Sequence, residues 1–303
     1  MKVLRYPEWQ DTALTLHLLT QMMGKVKLMR LTPQPEWHHT VLAVTPEGFC
    51  TGLVPCGDNG AKSFSLSLNL RQGQMTLKAA DGGSSGFFLR DQTSVSEYYS
   101  EFKQMLEQAG CATPILSLPQ EMSISAPFEE IIRKCDFNRE DALAFHSMCL
   151  FAHNAILRFV SPFRGKKILP CLFWGTFDCT GILFGGEDRP FDRGGIIEKA
   201  AFDEQMIEFG FWPGDPAVAD PSFFILPYPF LDGSLDNVET RPDKAVYSRE
   251  KKEWFFKLED VLGYPDPEGA LQEFFRMGYA QAVKYEGWKN LEWLGRPLLT
   301  DLK

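Results

Sequence analysis

Between residues 12 and 30, Leu14, Leu18, Met22, Val26 and Met29 form one apolar stripe at helical spacing, widened by Leu16, Leu19 and Met23. The pattern predicts a helix with Asp11 as N-cap and Pro33 beyond its end. β-rich sequence follows: HTVLAV, the turn TPEG, then FCTGLV, which together predict a hairpin. KSFSLSLNL at 62–70 alternates apolar and polar with period two. MTLKAA follows the turn RQGQ, and FFLR follows the turn DGGSSG. Ser94 or Ser96 then opens a helix, VSEYYSEFKQMLEQAG, that Gly110 stops. The first half reads as helix, antiparallel meander, helix.

A proline-spaced, extended stretch, ATPILSLPQEMSISAPFEE, reads as a connector. The pattern then restarts. EDALAFHSMCLFAHNAILRFV predicts a helix ending before Ser161-Pro162, and ILPCLFWGTF with DCTGILFG predicts a second hairpin. GGEDRPFDRGG reads as an acidic, glycine-rich insertion leading to a short helix at 195–209, with Gly210 as its cap. FFILPYPF reads as a strand, EKKEWFFKLEDVLG as a helix echoing SEYYSEFKQMLEQAG, and EGALQEFFRMGYAQAVKYEGW as a final helix without counterpart. The expected organisation is a first α+β repeat at 1–111, a connector at 112–138, and a second α+β repeat at 139–303 carrying an insertion at 185–220.

One sequence offset ties the halves together. DTALTLH begins at 11 and EDALAFH at 140, while FCTGLV begins at 49 and DCTGIL at 178, and 140 − 11 = 178 − 49 = 129. Over 11–54 against 140–183, eight of 44 positions are identical, so matched element order carries more weight than identity. The fold class expected is α+β: two pseudo-repeated halves, each helix–antiparallel β-meander–helix, plus a C-terminal helix, related as in an isologous dimer.

Composition narrows the classes. A net charge of −9 argues against non-specific nucleic-acid or anionic-membrane partners. Pro7 and Glu8 interrupt the stretch where a signal peptide needs an apolar run, and the longest apolar candidate, ALAFHSMCLFAHNAILRFV, is broken by His, Ser and Asn. Seven cysteines, odd in number and without CxxC or CxxH spacing, predict reduced core thiols and a cytoplasmic protein. Aromatic residues at 13% predict a large aromatic core.

TLHLLTQMMGKVKLMRL, EWHHTVLAVTPEGFCTGLVP, FWGTFD, EFGFWPGD and FFILPYPF, in that order, resemble a bacterial family defined as domain of unknown function 5996. The resemblance spans roughly residues 8–230, with Leu19 where that family more often has Trp and a long insertion at 231–243. It implies no activity, cofactor or catalytic residue.

Six residues stand out as candidate ligand contacts: His17, Trp37, His146, Trp174, Asp178 and Trp212. His17 shares one side of its helix with Gln21, Gly24 and Lys25, and His146 is its counterpart at the 129-residue offset. Each histidine can either donate to a carbonyl in a half-buried interface or meet its counterpart across the pseudo-axis to hold an anion or proton. His146 and His153, two helical turns apart, are too distant for one metal. In Trp37-His38-His39, strand alternation puts Trp37 and His39 on one face. Trp174 and Asp178 share a strand face unless a turn intervenes, and Asp178 can equally cap the DCTG hairpin. Trp212 lies in the turn-like EFGFWPGD. No GxSxG, GxGxxG, P-loop or HExxH occurs. Three functions compete: small-molecule binding in a cleft between the repeats, a metal-assisted hydrolase using His and Asp there, and an interaction protein with an aromatic interface.

Overall fold

The structure, a computed structural model, describes residues 1–57, 62–231 and 240–297. Most of the 231–243 insertion and the end of the expected second repeat lie outside the described residues.

The first helix, α1 (Tyr6–Arg30), starts before the expected 12. Pro7 fits a first turn, where its missing N–H would be unsatisfied anyway, and the Glu8 carboxylate accepts the Arg5 N–H at 2.7 Å. Asp11 is therefore no N-cap. It sits inside the helix, two residues past a departure from helical geometry at Trp9, and pairs with Arg133 at 2.5 Å. The α2 helix (Val95–Gln108) opens on a Ser94–Glu97 capping box.

Between these helices runs an antiparallel sheet of β1 (Ala43–Thr45), β2 (Gly48–Cys50), β3 (Val54–Cys56), β4 (Lys62–Asn69), β5 (Gln74–Ala79) and β6 (Ser84–Phe88). The order is β1-β2-β4-β5-β6, with β3 also on β4. Phe64, Leu66 and Leu68 alternate inward along β4, as the period-two pattern requires. FCTGLV is not one strand. Gly52, at φ +68, breaks it into β2 and β3. Only Ala43 and Val44 of HTVLAV lie in a strand, β1, and Ser84–Gly86 of the expected turn pair with β5.

A two-stranded ribbon, β7 (Thr93–Ser94) with β8 (Lys134–Cys135), flanks the connector. Then come α3 (Arg139–Val160), β9 (Lys167–Phe173), β10 (Asp178–Asp188), α4 (Ile196–Ala201), β11 (Glu204–Trp212), β12 (Ser222–Tyr228), β13 (Val246–Ser248), β14 (Glu253–Lys257), α5 (Leu258–Leu262), α6 (Pro267–Glu286) and α7 (Leu291–Leu294). The second antiparallel sheet has the order β13-β14-β12-β11-β10-β9.

The α+β class holds, and three local expectations fail. Residues 204–212 are strand, and Gly210 is mid-strand, paired with Thr180 and Phe224. A Cβ at Gly210 would lie 2.1 Å from the Phe224 ring, so glycine there admits a phenyl ring and caps no helix. The expected insertion at 185–220 thus contributes β11, between β10 and β12. EKKEWFFKLEDVLG divides into β14 and the short α5, because Trp254 and Phe256 are buried alternately at period two.

Contacts divide the chain into two compact units that cut across the halves read from sequence. Unit 1 comprises 1–150, 171–178 and 215–219; unit 2 comprises 151–170, 179–214 and 220–303. In unit 1, α1 packs on α2 and β3; in unit 2, α6 packs on β11, β12 and α5. The α3 helix is long and apolar enough to cross a membrane by composition, and it buries Ala142, Phe145, Met148, Cys149, Ala152 and Ile156 within the protein. None of the seven cysteines forms a disulfide, and six of them are buried.

Candidate functional site

Five of the six residues singled out above belong to unit 1, and α1 organises their surroundings. His17, Gln21 and Lys25 lie four residues apart, so they stack along one face of this otherwise apolar helix. The His17 Nε2 lies 3.0 Å from the Trp174 carbonyl oxygen and 2.9 Å from that of Gly175. Carbonyls only accept, so Nε2 carries the hydrogen and is shared between them. The Gln21 Nε2, 3.2 Å away, is then a second donor and no partner; it serves the Gln120 carbonyl at 2.8 Å. The His17 ring stacks on Phe177 with centroids 4.7 Å apart. Burial pulls its pKa down to about 4, against the two carbonyl contacts that raise it, so the imidazole is neutral at pH 7.

His146 makes the reciprocal contact. Its Nε2 donates to the Thr45 carbonyl at 2.8 Å, and burial lowers its pKa too. The numbers share the offset seen in sequence: 146 − 17 = 129 for the histidines and 174 − 45 = 129 for the carbonyls. Each long helix therefore pins the turn of the other half's first hairpin. Leu42 and Leu172 add a mutual antiparallel bridge, with N···O distances of 3.0 and 2.8 Å.

Trp174 is framework. It is 7% exposed, its Nε1 donates to the Thr40 carbonyl at 3.1 Å, and its indole lies where a Cβ on Gly24 would come within 2.0 Å. Trp174 and Asp178 do not share a strand face, because a turn at 174–177, with Phe177 at φ +64, separates β9 from β10. Asp178 accepts from the Thr176 hydroxyl, the turn-capping role that competed with the ligand role. Its charge adds to burial in pushing the Cys149 and Cys171 thiols well up. Trp212, in unit 2, ends β11 as a strand residue; the Lys251 ammonium stands 5.2 Å from its ring centroid.

The Trp37–His39 segment is the most unusual part of unit 1. Where a strand start was expected, a single 3₁₀ turn at Pro35–Trp37 runs into a turn at 38–40, with Glu36 at φ +50 and Trp37 at φ +55. Two successive non-glycine residues in the left-handed region cost about 1–2 kcal/mol each. Trp37 and His39 do share a side, with centroids 6.0 Å apart. His39 is 3% exposed; its Nδ1 accepts the Gln34 N–H at 3.1 Å. The hydrogen of neutral His39 is therefore on Nε2, which is buried and has no hydrogen-bond partner among the described residues. Burial and the nearby Lys27 ammonium both hold His39 below its usual pKa.

The sequence places Lys25 on the His17 side of the helix without marking its burial, and it does not single out Lys27. Lys25 is 1% exposed, donates to the Leu118 carbonyl at 2.7 Å, and has its pKa lowered to about 8 by burial. Lys27 donates to the Val41 carbonyl and is likewise lowered by burial. The signal was available: a lysine next to or within an apolar stripe, on a helix with little polar face, must be buried or tethered. Among the described residues, no three His, Cys, Asp or Glu side chains gather closely enough to hold a metal ion.

The family model for DUF5996, a family of unknown function, matches residues 1–293, and the chain belongs to that family. The match extends well past the 8–230 stretch that carried the resemblance. No curated protein and no solved structure matches the chain.

Proposed function

We propose that this protein binds a small molecule at the Trp37–His39 turn of unit 1. The observation that carries the reading is the buried Nε2–H of His39, which has no partner among the described residues. Such a donor costs about 1–3 kcal/mol when left unmade, and an acceptor atom on a ligand would recover it. The half-buried Trp37 ring beside it and the strained backbone beneath both suit a planar ligand, since strain concentrates where backbone serves a site. The cationic Lys27 near both histidines favours a carboxylate or other anionic acceptor. His17, His146, Trp174 and Asp178 then serve as the frame.

Thermal-shift measurements with a panel of planar aromatic carboxylates test this reading. The wild type should be stabilised by at least one member. His39→Leu should raise the unliganded midpoint, since it removes the unmade bond, and abolish the response; Trp37→Ala should weaken it. A wild type silent across the panel, or a His39→Leu variant that responds fully, overturns the proposal.

The enzyme alternative lacks a metal-donor set among the described residues, and the aromatic-interface alternative is weakened because most large aromatics are buried. The reciprocal His17–Trp174 and His146–Thr45 contacts support reading the chain as an internal duplication, joined as an isologous dimer would be. Seven cysteines, none in a disulfide, support a reducing, cytoplasmic setting.

A further inference from the structure

Two cysteines of unit 1 that are distant in sequence meet where β3 ends and α2 stops. The α2 helix closes on a Schellman motif: Gly110, at φ +65, sends its N–H to the Glu107 carbonyl at 2.9 Å and lets the Cys111 N–H reach the Leu106 carbonyl at 2.9 Å. Cys111 is held from its other side as well. Its carbonyl accepts the Thr113 hydroxyl at 2.8 Å, and Arg30, at the end of α1, donates to the Thr113 Oγ1 at 2.9 Å and to the Ala112 carbonyl at 2.5 Å. Cys56 is the last residue of β3 and pairs with Lys62 of β4. Its thiol donates to the Gly110 carbonyl at 3.5 Å and lies within hydrogen-bonding reach of the Cys111 thiol. Helix end and strand end are both fixed, so this contact is a property of the fold.

We infer that Cys56 and Cys111 form an oxidative modification site, a resting dithiol that hydroperoxides convert reversibly to a disulfide tying β3 to the end of α2. A thiolate of the pair attacks a peroxide oxygen; the O–O bond breaks, leaving a sulfenic acid and hydroxide. The second sulfur then attacks the sulfenic sulfur, the S–O bond breaks, and the oxygen leaves as water. Two thiols are oxidised, and one hydrogen peroxide is reduced to two waters. A disulfide needs its sulfurs about 2.05 Å apart, which side chains already in contact reach by turning about χ1. Access is by a thin cover. Both cysteines are 2% exposed, yet Gly57 and Gly110 beside them are exposed, and nothing lies within 4 Å of where a Cβ would stand on either glycine. Burial, and then the Cys56 contact, push the Cys111 thiol up to about 12, while the Arg30 and Lys62 charges favour its thiolate. The pair therefore rests protonated and responds to an excess of oxidant.

The test treats the full-length protein, reduced and then freed of reductant, with excess hydrogen peroxide under native conditions. Thiols counted after unfolding should fall from seven to five (7 − 2 = 5), and dithiothreitol should restore all seven. A non-reducing digest should contain a peptide that links Cys56 to Cys111. The bridge closes a span of 111 − 56 = 55 residues in the unfolded chain, so the oxidised protein should melt about 5 °C above the reduced one. Cys50→Ser should keep the linked peptide and the thermal gain; Cys56→Ser and Cys111→Ser should each lose both. Seven thiols surviving peroxide, a bridge mapped to other cysteines, a thermal gain that persists in Cys56→Ser, or an oxidised wild type that melts no higher than the reduced one overturns the inference.

Discussion

In unit 1 a single helix buries Gln21, Lys25 and Lys27, and the space around it holds His39, His146 and Asp178. In unit 2 the comparable volume is filled by rings: Phe275 lies 5.5, 5.6 and 6.2 Å from Phe159, Phe209 and Phe223, and Phe256 and Phe274 extend the cluster. The two interiors solve different problems. Aromatic packing is non-directional and stabilises by area, whereas each buried polar group demands a partner of defined geometry. Unit 2 is built for burial. Unit 1 carries the buried charged side chains and the strained Trp37 turn, whereas buried polar atoms without a partner among the described residues occur in both units, at His39 and at Gln205 and Trp254.

The contrast can be broken by mutation. Phe275→Ala should have the largest effect, about 3–5 kcal/mol in urea denaturation, as transfer and cavity costs combine. It should leave the response of unit 1 to ligands unchanged; a lost response would mean that the aromatic core is part of the site. Gly24→Ala follows. In a helix this change ordinarily gains about 1 kcal/mol, but here the added Cβ meets the Trp174 indole, and a net loss of about 2 kcal/mol is expected. A stabilised variant would show that Trp174 is not locked against α1.

Two titrations sharpen the comparison. With His17 near 4 when folded and 6.5 when unfolded, the unfolded chain holds more protons between those values, so stability falls as pH drops through that window. His17→Leu should cost about 2 kcal/mol at pH 7, leaving the Trp174 and Gly175 carbonyls unpaired, and should flatten that slope. Unit 2 shows the opposite sign. Burial raises Glu286 to about 8, against the Trp288 N–H at 2.7 Å, which lowers it. The folded protein then holds a proton that the unfolded chain lacks between 4.5 and 8, and stability falls as pH rises across that range. Glu286→Gln should gain on the wild type over the same range, by about 1 kcal/mol after discounting for partial exposure. Equal pH profiles for wild type and variant would remove Glu286 from the account.

Periodicity and turn chemistry made much of the fold legible. α1, α2, α3, α6, β4 and the β9–β10 hairpin follow from apolar spacing. β11 and β14 were missed for a common reason: both are buried, aromatic-rich strands, and short apolar runs do not distinguish helix from strand. In the candidate site, the sequence placed His17 and His146 in equivalent positions and Trp37 beside His39, but it could not supply their partners. Thr45, Trp174, Leu118 and Gln120 act through main-chain atoms, which every residue possesses and no pattern marks.

CTG occurs twice in this chain, and the two copies separate what the sequence determined from what tertiary structure decided. The sequence by itself determined an antiparallel α+β protein with a 129-residue echo, because amphipathic period and turn residues are local properties. It did not determine that Gly52 turns the chain at φ +68 in open space while Gly181 lies within β10, where a Cβ would meet Ile156 at 2.9 Å. Glycine permits both conformations at similar local cost, so the neighbours choose between them. The same holds for the histidines: whether an imidazole meets a carbonyl, a proton or a ligand depends on what the fold brings to it.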